Sequence, residues 1–170
     1  MADKLLALLA GSSAELITAV LAMLPVSELR GAIPYAVGVA GMSWQKAYVI
    51  AVIANFIPVI PIFYLIGPIS DYLRKVPLFD RFFTWLFARA RRKGKLIERF
   101  EILGLVLFVA IPLPVTGAWT GTIAAFVFGV KKRVALPSIF LGICIAGVVV
   151  TLAVTGVISF WGIATGRSGG

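Results

Sequence analysis

The sequence predicts an all-α polytopic membrane protein. Its expected plan is an inverted repeat of a re-entrant helical hairpin plus a transmembrane helix, with an interfacial amphipathic helix between the repeats. Three observations carry this. The 170 residues are 61% hydrophobic, against about 45–50% in a soluble domain, and several apolar segments exceed the roughly 18 residues that indicate a membrane span. Most basic residues, behind a net charge of +9, fall in two blocks, 74–99 and 131–133, on either side of one proline-broken apolar stretch. A short motif, Pro25-Val26-Ser27, returns as Pro114-Val115-Thr116.

Composition also excludes several function classes. A soluble chain this basic would point to nucleic acid. Here the basic blocks lie between apolar segments, where the positive-inside rule puts them, so no nucleic-acid partner is read. The single cysteine, Cys144, rules out an intramolecular disulfide and any multi-cysteine metal site; it reads as a small packing residue. There is no histidine, hence no imidazole base or ligand. A Walker loop, a metal-ligand cluster and a nucleophile–base pair are all missing, so neither an enzyme nor a cofactor site is expected. The N-terminus has no basic n-region and no small-residue cleavage site, so no cleaved signal peptide is read.

Residues 3–24 form a helix candidate rich in Leu and Ala. Ser12, Glu15 and Thr18 fall three apart and share one face. That stripe marks a helix contact or a position near the membrane surface; a transport role for Glu15 is the second option. Pro25 ends this helix, because proline lacks an N–H and restricts the residue before it. Over residues 27–41, Gly31, Pro34, Gly38 and Gly41 oppose a long regular helix, although a short one with Pro34 in its first turn is allowed. Residues 42–46 read as a surface loop, with Ser43 as a cap for the next helix.

Residues 47–72 are the clearest span. Pro58 and Pro61 should kink it, and the freed carbonyls need partners in protein or water. Asn55 within it is expected to bond a neighbouring helix. In residues 74–99, Phe79, Phe82, Phe83, Leu86 and Ala90 recur at helical spacing among lysines and arginines. This pattern predicts an amphipathic helix lying in the cytoplasmic interface, in contact with anionic membrane lipids. Residues 102–130 are apolar but interrupted by Pro112 and Pro114, then by Thr116, Gly117, Trp119, Thr120 and Gly121. Residues 134–161 form the last span. Gly142 and Ala146 there make a small-xxx-small pair suited to close helix packing, which allows a homodimer. The tail, residues 162–170, is short and polar. The whole chain reads as one membrane domain: first repeat 1–73, basic segment 74–99, second repeat 100–161.

Both basic blocks should face the cytoplasm. One straight crossing between them would separate them, whereas a re-entrant hairpin returns the chain to the side it left. The rising limb would be residues 102–111, the tip 112–120 and the return limb 121–130. A limb of about ten residues reaches about 15 Å, half of the hydrocarbon core. The first half repeats this pattern around Pro25, and Gly67 and Gly156 share the offset of Pro25 and Pro114. A single span between the two units inverts the second relative to the first, as in secondary transporters. In a competing topology the first helix crosses fully.

The hairpin plan puts Glu28 and Arg30 at membrane depth, where ionisable residues are costly and usually serve a pathway. Arg30 can hold a phosphate or carboxylate by a forked contact. Glu28 can carry a proton, since burial raises a carboxyl pKa. The two can also pair simply as a structural clasp. Helix starts near residues 31–34 and 116–121 would add N–H donors. The candidate substrate-binding and proton-coupling residues are therefore Glu28, Arg30, Pro34 and Asn55, with Pro112, Pro114, Thr116, Trp119 and Thr120 on the opposite tip. Trp119 has the alternative role of an interface anchor.

The run Pro25-Val26-Ser27-Glu28-Leu29-Arg30-Gly31-Ala32-Ile33-Pro34 and the later Pro112-Leu113-Pro114-Val115-Thr116-Gly117-Ala118-Trp119-Thr120-Gly121 resemble the small multidrug export protein family. The likeness covers nearly the whole chain. That family is in turn similar to the DedA superfamily. The resemblance implies a multi-pass inner-membrane protein with two opposed re-entrant hairpins and proton-linked transport. DedA proteins are associated with flipping polyprenyl phosphate and other lipids, and with drug and envelope-stress tolerance. The acid and arginine of their first hairpin carry over as Glu28 and Arg30. Their second motif usually holds an arginine near its proline, whereas this chain has Thr116, Gly117 and Trp119. The expected function is a DedA-like, proton-linked transporter or flippase for an amphipathic, phosphate-bearing, lipid-like anion. The alternatives are export of small cationic drugs, with Glu28 binding the cation, and a non-transporting membrane scaffold.

Overall fold

The computed structural model describes residues 13–73, 97–112 and 116–164. Every regular element among them is helical. In chain order these are α1 (Ala14–Met23), α2 (Glu28–Pro34), a π-helical turn (Tyr35–Val39), α3 (Trp44–Phe56), α4 (Val59–Leu73), α5 (Ile97–Ala110), α6 (Ala118–Val127) and α7 (Lys132–Ala164). The amphipathic helix expected over residues 74–99 lies outside the described residues, except that 97–99 open α5. Pro114 also lies outside them.

Two stretches are long and apolar enough to cross a membrane: Trp44–Pro68, covering α3 and part of α4, and Lys132–Val157 within α7. Both expose large apolar side chains, among them Val49, Ile53 and Leu65 on the first and Leu141, Val149 and Leu152 on the second. Lipid would cover such a surface. The break in the first stretch falls at residues 57–58. Pro58 has no N–H to continue the α3 ladder, and the Ile62 N–H restarts it on the Pro58 carbonyl at 3.1 Å. Pro61 does not add a second kink. It sits in the first turn of α4, where an N–H has no intrahelical partner anyway.

The chain divides into two compact units, one formed by Met1–Asn55 with Ile145–Gly170 and the other by Phe56–Cys144. Each contains one helix–break–helix segment, the N-terminal part of the long segment that follows it, and the C-terminal part of the other long segment.

In the first unit, Ser13 caps α1, its side chain accepting from the Leu16 N–H at 3.3 Å. The helix ends before Pro25, as expected, and α2 packs back on α1. Leu29, Ala32, Ile33 and Ala36 are buried there. Gly31 is needed for this turn, because a Cβ would lie 2.7 Å from Ser27 Cβ. Pro34 is the last residue of α2, not part of a first turn. Its missing N–H opens the ladder, and the chain continues as a π-turn, with the Ala40 N–H on the Tyr35 carbonyl at 2.9 Å. Such single-turn π insertions are common at functional sites.

In the second unit, Val109 of α5 is wedged between two helices. A Cβ on Gly142 of α7 would lie 2.7 Å from Val109 Cβ, and one on Gly121 of α6 would collide with Val109 Cγ2. The small face of Gly142 therefore serves a contact within the chain. Gly129 (φ +72°) closes α6 in a Schellman motif: its N–H meets the Phe126 carbonyl at 3.0 Å and the Val130 N–H meets that of Ala125 at 2.9 Å. Phe56 and Phe140 stack edge to face at 5.1 Å, and Lys132 Nζ lies 4.1 Å from the Tyr64 ring centroid.

Candidate functional site

The break after α1 holds the charged pair. Residues 24–27 turn the chain, and the Glu28 N–H closes the turn on the Leu24 carbonyl at 3.0 Å. The Ser27 hydroxyl donates to the Leu21 carbonyl at the end of α1. Glu28 then opens α2 with φ +45°, making it the one described non-glycine residue with positive φ. That backbone is uncommon for a residue with a Cβ. It resolves a geometric difficulty. On a regular helix, residues i and i+2 point about 200° apart, yet Arg30 Nη2 lies 3.7 Å from Glu28 Oε2. The left-handed residue re-aims the carboxylate. The Glu28 side chain is 8% exposed and that of Arg30 is 23% exposed, so the cation is the more accessible member.

Pro34 follows on the same helix and sets the π-turn. Asn55, in the last turn of α3, is 1% exposed. The bond to a neighbouring helix expected for it is not formed by its Oδ1, which is buried with no hydrogen-bond partner. A buried polar atom of this kind is costly and calls for an explanation.

The other predicted residues belong to the second unit. There α5 ends at Ala110, residues 111–112 and 116–117 carry no regular structure, and α6 starts at Ala118 with Gly117 before it. This start agrees with the position expected for the second break, whereas α2 starts at Glu28, earlier than the expected 31–34. The Thr116 hydroxyl donates to the Ile111 carbonyl at 2.6 Å. Thr120 donates weakly to the Gly117 carbonyl at 3.4 Å, and Trp119 is half-buried in the first turn of α6. Ser27 and Thr116 are the matched hydroxyls of the repeated Pro-Val-Ser/Thr motif. Each captures a carbonyl at the end of the preceding helix.

Glu15 pairs with Lys46 at 2.6 Å, both side chains being well exposed. The Lys46 hydrogen bond, assisted by the helix backbone and Ser13, holds the Glu15 carboxyl down to about 2. Glu15 is thus a surface ion-pair residue, as its first option had it. Sequence reasoning missed Trp44, Tyr48, Thr151 and Thr155, which line a cavity in the first unit. Their i, i+4 spacing on two apolar helices was the available signal.

Long apolar helices, a charged pair at a helix break and a second, uncharged break define an all-helical membrane protein with a buried polar site. A family model described as "Putative small multi-drug export protein" matches residues 28–149. That match begins at Glu28 and includes both breaks except the first turn's residues 24–27. The chain belongs to this family. Neither the curated proteins nor the solved structures offer a match.

Proposed function

We propose that the chain is a multi-pass inner-membrane secondary transporter that exports small amphipathic molecules, with proton coupling at Glu28 and substrate contact at Arg30. The observation that carries this is the pair of a buried, left-handed Glu28 with a part-exposed Arg30 at a helix break, in a family described by export. It acts by binding and conformational exchange, not as an enzyme. Arg30 is the more exposed charge, which favours an anionic head such as a phosphate; a DedA-like lipid substrate is the finer form of this reading. The family description favours a second reading, export of small cationic drugs with Glu28 as the cation contact.

The re-entrant plan draws support from Glu15 and Lys46. One lies in the first turn of α1 and the other in the first turn of α3, and they touch. A hairpin that leaves and regains one membrane surface needs its two ends at one level. The ten residues of α1 reach about 15 Å, half the hydrocarbon core. The matched composition of the two units also fits an inverted repeat.

Flux into proteoliposomes under a pH gradient is the test. Glu28→Gln should remove the pH dependence, and Arg30→Ala should lower flux of an anionic amphiphile about tenfold or more. If both variants fold and transport as the parent does, the pair is only a clasp and a scaffold role takes over. Loss of cation flux alone would favour the drug reading. Cysteines at Lys46 and Arg133 should label from opposite sides, Arg133 from the cytoplasm; labelling from one side defeats the inverted repeat.

A further inference from the structure

In the first unit, α3 and the C-terminal part of α7 touch and then separate. A Cβ on Gly147 would lie 2.7 Å from the Tyr48 ring and 3.0 Å from Val52, so the two helices are close there. Toward the start of α3 they part around a groove of about 770 Å³. It is lined by Val37 of the π-turn, by Trp44 and Tyr48 of α3, and by α7 between Val148 and Thr155. Neither Glu28 nor Arg30 lines it.

The open end has a definite level. Trp44 is the first residue of α3, in the same turn as Lys46, whose ammonium meets the Glu15 carboxylate with both side chains well exposed. Tryptophan gathers at the boundary between membrane and water. From that level the groove runs inward, and the four residues from Trp44 to Tyr48 carry it about 6 Å toward the hydrocarbon. It is also open sideways. Val148 is 47% and Leu152 66% exposed, and exposed Val49, Ile53 and Val149 continue the same apolar surface, which lipid covers.

The walls suit hydrocarbon better than water. Val37, Val148 and Leu152 are aliphatic. The Thr151 Oγ1 is buried away from the groove, and the Thr155 hydroxyl donates to the Thr151 carbonyl at 2.9 Å. An ordered water needs two to four polar partners, which these side chains do not supply.

We propose that the groove holds one acyl chain of a bilayer phospholipid, inserted between α3 and α7 from the leaflet that contains Trp44. The chain enters at the level of Trp44 and runs past Tyr48 to the helix contact at Gly147. There it replaces the side-chain packing that α3 and α7 do not make with each other. It also meets Val37, in the turn that continues α2 beyond Pro34, and so braces the helix that carries Glu28 and Arg30. This lipid is part of the folded protein in the membrane, not cargo.

The test is photolabelling of the full-length protein in phosphatidylcholine nanodiscs. The probe is a phosphatidylcholine with a diazirine in the upper part of one acyl chain, and adducts are mapped by residue. Label on Trp44, Tyr48, Val148 and Leu152 should exceed that on Val49, Ile53 and Val149. Leu152→Trp, at an exposed lining position, should fill the groove and cut its label about tenfold, as if roughly two buried methylenes lost their contact. Label on Val49 and Ile53 should stay the same. Val148→Phe, at a second exposed lining position, should act alike and decides the matter if Leu152→Trp fails to fold. Leu141→Trp, exposed on α7 outside the lining, should change nothing. Groove label no stronger than that on Val49 and Ile53 would overturn the proposal, with a second copy or residues 1–12 of the chain then covering the groove. Unchanged groove label in both filling variants would overturn it as well. Glu28→Gln should label as the parent does, so a failed flux assay and a failed labelling assay remain separate results.

Discussion

The two helix breaks solve one problem with different residues. In both, a helix ends near a proline, and the last carbonyls of the incoming helix need donors. Ser27 supplies one to Leu21 and Thr116 supplies one to Ile111. At the next matched position the breaks part company. The second has Gly117, while the first has Glu28, held at φ +45° and almost buried. Two positions further on, Trp119 stands where the first break has Arg30. The second break has no charged residue between its two helices, so charge is not required to break the helix there. The acid and arginine of the first break are costs that folding alone does not explain, and such costs gather at functional sites.

This contrast can be broken at several points. The largest stability effect should come from Arg30→Ala, which removes one partner from a nearly buried carboxylate. Stranding a fully buried charge costs about 3–5 kcal/mol; with Arg30 part-exposed, roughly 2 kcal/mol is expected in unfolding experiments in micelles. The double variant Glu28→Gln/Arg30→Ala should recover most of that loss, and a failure to recover would mean that Arg30 acts through other contacts.

A smaller effect should separate the shared chemistry from the unshared. Ser27→Ala and Thr116→Val each remove one hydroxyl–carbonyl bond, worth about 1 kcal/mol. Similar losses of thermal stability in the two variants would sharpen the equivalence of the breaks, and a loss at one alone would end it.

The smallest effect concerns Glu15. Its folded pKa, about 2, lies below the ordinary 4.5. The Lys46 contact therefore stabilises the protein fully above the ordinary carboxylate value and loses that contribution as pH falls toward 2. Because the pair is exposed, it should be minor and screened by salt. Glu15→Gln should flatten the difference in melting temperature between pH 5 and pH 2.5, measured by scanning calorimetry.

Proline chemistry and charge made much of this legible beforehand. The end of α1 before Pro25, the second break near Pro112 and the two long apolar segments all follow from local rules. The course of α2 did not. Gly31 and Pro34 read as punctuation, but burial of Leu29, Ala32, Ile33 and Ala36 holds the helix together, and Pro34 shifts it to a π-turn without ending it. Packing overrides propensity there. Asn55 and Thr151 were opaque for another reason. Both residue types usually find partners, and only coordinates reveal an oxygen that has none. The pairing of Glu28 with Arg30 was legible as a possibility; its left-handed backbone was not.

The make-up of the two units bears on how the chain is built at the ribosome. One unit is continuous, Phe56–Cys144, while the other waits for Ile145–Gly170. The charged break precedes the continuous unit in the chain, yet Gly147, against which Tyr48 and Val52 close, follows it. During synthesis the contact of Tyr48 and Val52 with Gly147 can therefore form only after all of Phe56–Cys144 has been made. The interrupted unit closes only once the continuous one has left the ribosome.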